Sequence, residues 1–450
     1  MHRKEFIKKF SLLTTALTTI PNLYADTNNK KNIPGLIKDP NGILDLPKGF
    51  TYSILSKEGQ VMNDGLFVPP SADGMTCIQL SKHKLVLIRN HEIGHVPMLT
   101  TFFKNNYYGP SYENYKEKNA DKFYDINDNN DTYCFGGTTN IVYDIKKEKV
   151  ECQYLSLAGT LINCSGGITP WGTWISCEET GQKEGEGITQ DHGYNFEVIP
   201  SLEPYLTKAV ALKDMGRFRH EGVAFDQKNG YVYQTEDRPD GLFYRFIPKV
   251  NKELSKGGRL QVLSFKDWRG IDTSNWKKEN IKAGNRYKVR WIDINNVSSP
   301  DDDLRYRGRN MGAAVFARGE GIFCSNNIIY FTATTGGKEK SGQIWRYTPG
   351  RNGTDGFIEL FYESKDSNVL NMPDNIIISP RGHVLLCEDG KGRDRLVCIK
   401  PDGSIYYLAN NALNNEEFAG MTFSPDGSVL FVNIYSPTMT LAIKGPWHTI

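Results

Sequence analysis

Carboxylates stand at the ends of short β-type runs along most of this chain, and carboxylates gathered from several runs could hold cations. Glu221-Gly222-Val223-Ala224-Phe225 leads through Gly230 into Tyr231-Val232-Tyr233-Gln234-Thr235-Glu236-Asp237. Ile376-Ile377-Ile378 leads through Pro380-Arg381-Gly382 into Val384-Leu385-Leu386-Cys387-Glu388-Asp389. Trp174-Ile175-Ser176-Cys177-Glu178-Glu179 and Lys84 to Glu92 keep the terminal acids, whereas the runs closing at Thr334 and Asn433 end in neutral polar groups.

Acids brought together from such ends would repel one another and raise their own pKa values, and bound cations are the natural compensation. Oxygen-rich rings suit hard ions such as Ca²⁺. Cys177 beside Glu178 and Glu179 adds a soft donor that calcium would not select, so a transition metal such as iron together with calcium is one reading. A buried, apolar-behaving thiol or half of a disulfide is the other.

The elements that must position these groups repeat an apolar stretch, a glycine-bearing turn and a second β-rich stretch. Several of the intervals between run ends approach the roughly 40 to 50 residues of a propeller blade. The 450 residues, with 39% hydrophobic content and 43 glycines, therefore predict an all-β propeller forming a single domain from Ile43 to the end. The longer intervals leave room for inserted loops, of which 105–131 and 251–303 are expected to rim the site.

Ahead of that domain, Arg3-Lys4-Glu5-Phe6-Ile7-Lys8-Lys9, an apolar stretch to Ile20 and a small-residue site at Ala25 predict an export signal over 1–25, followed by a flexible leader over 26–42. The signal resembles a twin-arginine signal with one Arg replaced by Lys; an ordinary secretory signal is the alternative. Either one predicts contact with export machinery and a periplasmic or secreted location. No later apolar run is long enough to span a membrane. Formal charge is +2 without a dense basic stripe, which disfavours nucleic acid.

Asn163-Cys164-Ser165-Gly166-Gly167-Ile168-Thr169-Pro170-Trp171-Gly172-Thr173-Trp174-Ile175-Ser176-Cys177-Glu178-Glu179 resembles the central signature of the PhoX-type alkaline phosphatases. Arg89-Asn90-His91-Glu92, Gly136 to Asn140, Arg219-His220-Glu221-Gly222, Arg318-Gly319-Glu320-Gly321, Cys387 to Gly390 and Glu417 through Trp447 follow in the family's order. The resemblance implies a six-bladed propeller and a secreted phosphomonoesterase acting on small phosphomonoesters, with two oxo-bridged ferric ions (Fe3+) accompanied by calcium (Ca2+). It further implies Cys177 and Glu221 as iron ligands, Glu320 as a catalytic residue bridging metals, and Arg318 as the catalytic phosphate-binding group. Glu178, Glu179, Asp374, Glu388 and Asp389 are implied as calcium ligands or their supports. A calcium-dependent propeller hydrolase of lactonase type is the competing expectation; it needs a hard-metal site but no thiolate.

Other motifs exclude more than they suggest. His91-Glu92-Ile93-Gly94-His95 matches a zinc-protease pattern, but Gly94 and Pro97 disfavour the helix that pattern needs. Pro401-Asp402-Gly403 and Pro425-Asp426-Gly427 predict hairpin turns. No phosphate-binding GxxxxGK[ST] loop or GxSxG serine elbow occurs.

Overall fold

The computed structural model describes residues 33–97, 107–127, 132–185 and 187–450. The expected export signal lies outside the described residues. Six antiparallel blades surround a central channel, and their innermost strands are Ala72–Gln79, Asn163–Ile168, His220–Asp226, Gly319–Ser325, Pro373–Ile378 and Phe418–Phe423. Each inner strand contacts the next, and the last returns to the first. The ring is closed by hydrogen bonds between segments far apart in sequence: Thr51–Lys57 pairs with Met439–Lys444 and so becomes the outer strand of the sixth blade.

Each blade begins as the sequence pattern requires. Lys84–His91 carries the apolar run Leu85-Val86-Leu87-Ile88 and is buried on both faces, because the faces of a blade are covered by its two neighbours rather than by water. Hydrophobic contact is accordingly divided among the blade interfaces. Ile78, Val86 and Ile88 meet Trp174 and Phe196 between the first two blades. Met75, Leu85 and Leu87 meet Val429 and Phe431 where the sixth blade returns to the first. This arrangement leaves the axis free of core, and a cavity of about 990 Å³ lined by all six inner strands runs along it.

Two expectations about connecting segments change. The stretch 251–303 is not simply a rim loop: it supplies Gly258–Phe265, the fourth strand of the third blade, and Arg286–Ile294, which pairs onward with Gly356–Glu363. Blades three and four are thereby fused into one nine-stranded sheet. Within the expected leader, Leu36–Ile37 pairs with Leu46–Pro47, and Leu44–Asp45 extends the fifth blade at Asn410–Asn411. Asp39 anchors this segment by accepting hydrogen bonds from the Ile43 and Leu44 amides and the Tyr52 hydroxyl.

Both Pro-Asp-Gly segments form turns as expected, with Gly403 and Gly427 donating to the Lys400 and Ser424 carbonyls. His91 and Pro97 lie in strands, so the zinc-protease pattern has no helix. All eight cysteines are free thiols.

Candidate metal and phosphate site

Every inner strand carries a β-bulge near its start. Register shifts fall between Ala72 and Met75, Asn163 and Gly166, His220 and Val223, Gly319 and Ile322, Pro373 and Ile376, and Ala419 and Thr422. A bulge re-aims a side chain out of the alternating pattern. The first bulged residues of the first five blades are Asp73, Cys164, Glu221, Glu320 and Asp374, all of them possible ligands. In the sixth blade the bulge begins at Gly420, and Glu417 lies just ahead of that strand.

Glycine follows several of these acids because the neighbouring inner strand lies too close for a side chain. A Cβ on Gly74 would stand 2.5 Å from the Ser165 Cα, and one on Gly321 would stand 2.6 Å from the Asp374 carbonyl oxygen. The acid-glycine pair is thus a local signature of an inner strand.

A second tier of groups comes from the residue that follows each second strand: Glu92, Glu179, Asp237, Thr334, Asp389 and Tyr435. The residue just before, at the end of the strand, is turned the opposite way by the period of two. Glu178 accepts from the Leu161, Gly193 and Tyr194 amides and pairs with His192 Nδ1 at 2.6 Å. Glu388 is held by both arms of Arg395, at 2.6 and 2.7 Å, and by the Asn371 amide. Glu178 and Glu388, expected as metal ligands or their supports, are thus saturated inside their own blades. Glu179 and Asp389 face the channel acids.

The two tiers interact strongly. Burial raises the pKa of Asp73 far above the carboxylate range, and Glu92 and Asp374 push it further. Burial, then Glu320 and Asp374, does the same to Glu221. Burial and Asp237 raise Glu320, against the pull of Arg318. Glu179 is pushed up to about 8 by burial and by Asp237 and Glu92. Glu92 and Asp374 are each raised to about 7, in both cases chiefly by burial. Glu417 is raised by burial and by Asp389 and Asp374.

Arg318 is the cation set among them. Its Nε and Nη2 donate to the two oxygens of Asp237 at 2.8 and 3.1 Å, and Nη2 also donates to Glu320 at 2.6 Å. Its backbone adopts φ 57°, a left-handed conformation that a non-glycine residue adopts at a cost. The amide of Arg318 donates to the Arg238 carbonyl and its carbonyl accepts from Thr334, which holds it there. A second cation, Arg219, reaches Glu179 at 3.2 Å.

Two triplets of the channel, among the described residues, have ligand atoms lying within 4.8 Å of one another: Cys164, Glu179 and Glu221; and Glu221, Glu320 and Asp374. Glu221 is common to both, whereas Glu320 belongs to one. The thiol beside the acids is therefore that of Cys164. Cys177, the expected iron ligand, packs instead with Ile175, Val223, Val232 and Tyr244 between blades two and three, and burial raises its thiol. The Cys164 sulfur lies 3.8 Å from the Cys177 carbonyl, which is how near the two positions are without being equivalent.

The structure thus brings together Glu179, Glu221, Glu320, Asp374, Asp389 and Arg318 and leaves Cys177, Glu178 and Glu388 outside. It adds Asp73, Glu92, Cys164, Asp237 and Glu417. Asp73-Gly74 shares the acid-glycine pair of Glu221-Gly222 and Glu320-Gly321, and that signal could have found it. Cys164 carries no such mark, because its place is set by the bulge.

The model of the family Alkaline phosphatase PhoX matches residues 32–438. A search of curated proteins returns no match. Among solved structures, Pseudomonas fluorescens PhoX in complex with vanadate, a transition state analogue, has 18% identity and a TM-score of 0.63, covering 90% of this chain and 96% of that one. A gluconolactonase from Xanthomonas campestris has 10% identity and a TM-score of 0.39, covering 89% and 98%. A periplasmic gluconolactonase from Pseudomonas aeruginosa has 12% identity and a TM-score of 0.37, covering 80% and 78%. The first of these shares the β-propeller fold; the overlap of the other two is too low to argue from. No described helix is long and apolar enough to cross a membrane.

Proposed function

The chain belongs to the alkaline phosphatase PhoX family and is a metal-dependent phosphoric monoester hydrolase, and we propose that its chemistry takes place at the bulged end of the channel, on a cluster of iron and calcium ions. The observation that carries this placement is the convergence of buried acids from successive blades around Arg318.

The residues fit such a cluster. Asp73 Oδ1 is buried without a hydrogen-bond partner, and the many interacting carboxylates are set against few cations, Arg318 and Arg219 being the ones that pair with them. Cys164, Glu179 and Glu221 form a mixed thiolate and carboxylate set suited to iron. Glu221, Glu320 and Asp374, with Asp73, Glu92, Asp389 and Glu417 around them, form an all-oxygen set suited to iron or calcium. Glu221, shared by the two triplets, would be the residue able to hold more than one ion. Bound there, the ions would neutralise the carboxylates and polarise a phosphoryl group.

Arg318 offers its remaining nitrogen, Nη1, to an equatorial oxygen of a phosphomonoester, where charge must be stabilised during transfer. Asp237 and Glu320 hold the guanidinium in register for that contact, so they act on phosphate through Arg318. Cys164 favours the phosphatase site over the calcium-only lactonase type, which has no use for a thiolate. Export ahead of action follows from the predicted signal over 1–25.

Elemental analysis of the natively exported protein, read beside p-nitrophenyl phosphate hydrolysis, tests this reading. Iron and calcium present together, with activity lost on chelation, is the expected result. Full activity after complete metal removal would overturn it.

A further inference from the structure

Beyond the channel, on the far side of Glu178, lies a second group of metal-ligand side chains. Asp125, Cys134 and His192 come from three separate segments: the insert following the helix Tyr112–Lys118, the strand Thr132–Cys134, and the loop before the strand Asn195–Val198. One ligand atom from each lies within 4.8 Å of the others, and all three residues are buried. The Leu161 and Ile188 side chains pack with Cys134, and Tyr124 sets the edge of its ring against His192.

His192 is oriented as a metal ligand would be. Its Nδ1 is engaged by Glu178 at 2.6 Å, while its fully buried Nε2 makes no short hydrogen bond and faces the other two side chains of the group, Asp125 Oδ2 at 3.5 Å and the Cys134 thiol. A carboxylate on the remote nitrogen fixes the tautomer that leaves the other nitrogen able to bind metal. Asp125 is supported in the same manner, by the Asn127, Thr189 and Gln190 amides and the Thr189 hydroxyl. Hydrogen bonds beyond the ligands are therefore in place on both sides.

We propose that Asp125, Cys134 and His192 bind a divalent transition metal of the zinc type, as a structural site distinct from the phosphatase centre. A thiolate, an imidazole and a carboxylate make a borderline set that suits zinc and not calcium. The ion would tie the insert of the first blade to the insert of the second. It would also fix Glu178, whose neighbour Glu179 faces the channel, so this site braces one wall of the catalytic centre.

The test uses the full-length protein expressed with zinc, analysed for metal content, and its cobalt-substituted form, examined for thiolate-to-cobalt charge-transfer absorption. About one zinc per chain is expected. C164S should keep the zinc and the absorption, whereas C134S and H192Q should lose both. Wild-type protein without zinc, or absorption that disappears in C164S, would overturn the site and leave His192 as an imidazolium held between two carboxylates. If C134S and H192Q do not fold, C164S still decides. Among the described thiols, Cys134 and Cys164 alone are grouped with two further donors.

Discussion

Glu178 and Glu179 are consecutive in sequence and face opposite ways: Glu178 is consumed by three backbone amides and His192, while Glu179 faces Arg219 and the channel acids. The same division recurs at Glu388 and Asp389, where the first pairs with Arg395 and the second interacts with Arg318 and Asp237. One residue of each pair secures the blade and the other serves the centre.

That division separates stability from metal binding. Glu388→Gln should cost about 3–5 kcal/mol, because it leaves the partly buried Arg395 without its charge partner. Its metal content should stay that of the parent protein. Asp389→Asn should do the reverse, keeping the melting temperature while lowering bound calcium and turnover. Denaturant unfolding read beside elemental analysis distinguishes the two.

Cys164 and Cys177 should behave differently although both are buried thiols. Cys164→Ser is expected to lose iron and most activity. Cys177→Ser should retain both and lose no more than about 1–3 kcal/mol of stability. Iron content per chain decides; equal loss in the two variants would contradict the assignment of the thiol.

Arg318→Ala should lower kcat/KM for phosphomonoesters by about 10²–10³-fold, the scale of losing one preorganised donor to transition-state charge. Asp237→Asn frees the guanidinium from one of its two anchors, so a smaller loss is expected. Inhibition by inorganic phosphate should weaken in the same order.

Stability of the metal-free protein should depend on pH with a definite sign. Glu92 and Asp374 have folded-state pKa values of about 7 and Glu179 of about 8, all above their ordinary values of 4.5, 3.8 and 4.5. The folded form therefore binds more protons than the unfolded one between those limits. Stability is fully present below the ordinary carboxylate range and is lost as pH rises through about 7 to 8. Melting temperatures measured across that range should fall with pH in chelator and fall less when iron and calcium are restored.

Gly321→Ala should strain the contact between blades four and five, since the new methyl would press on the Asp374 carbonyl. A loss of about 1–3 kcal/mol is expected. Because Asp374 belongs to one of the metal triplets, activity should fall more steeply than the melting temperature.

The propeller was legible in the chain because its signals are local. Runs such as Leu85 to Ile88 and Val384 to Cys387 are apolar on both faces, and glycine turns separate them at blade-sized intervals. Glu221, Glu320 and Arg318 stood out through neighbouring glycines and the family resemblance. The nine-stranded sheet was not legible, because Arg286–Ile294 gains its second partner, Gly356–Glu363, from a distant part of the chain.

By itself the sequence determined the all-β class, the runs from which the ligands come and the surplus of acid that calls for cations. Tertiary structure alone decided which member of each acidic pair enters the channel, and that Cys164 rather than Cys177 meets the acids. A strand dictates alternation but not its phase. The phase is set by bulges and by the stacking of one blade on the next, which are contacts between residues far apart in sequence.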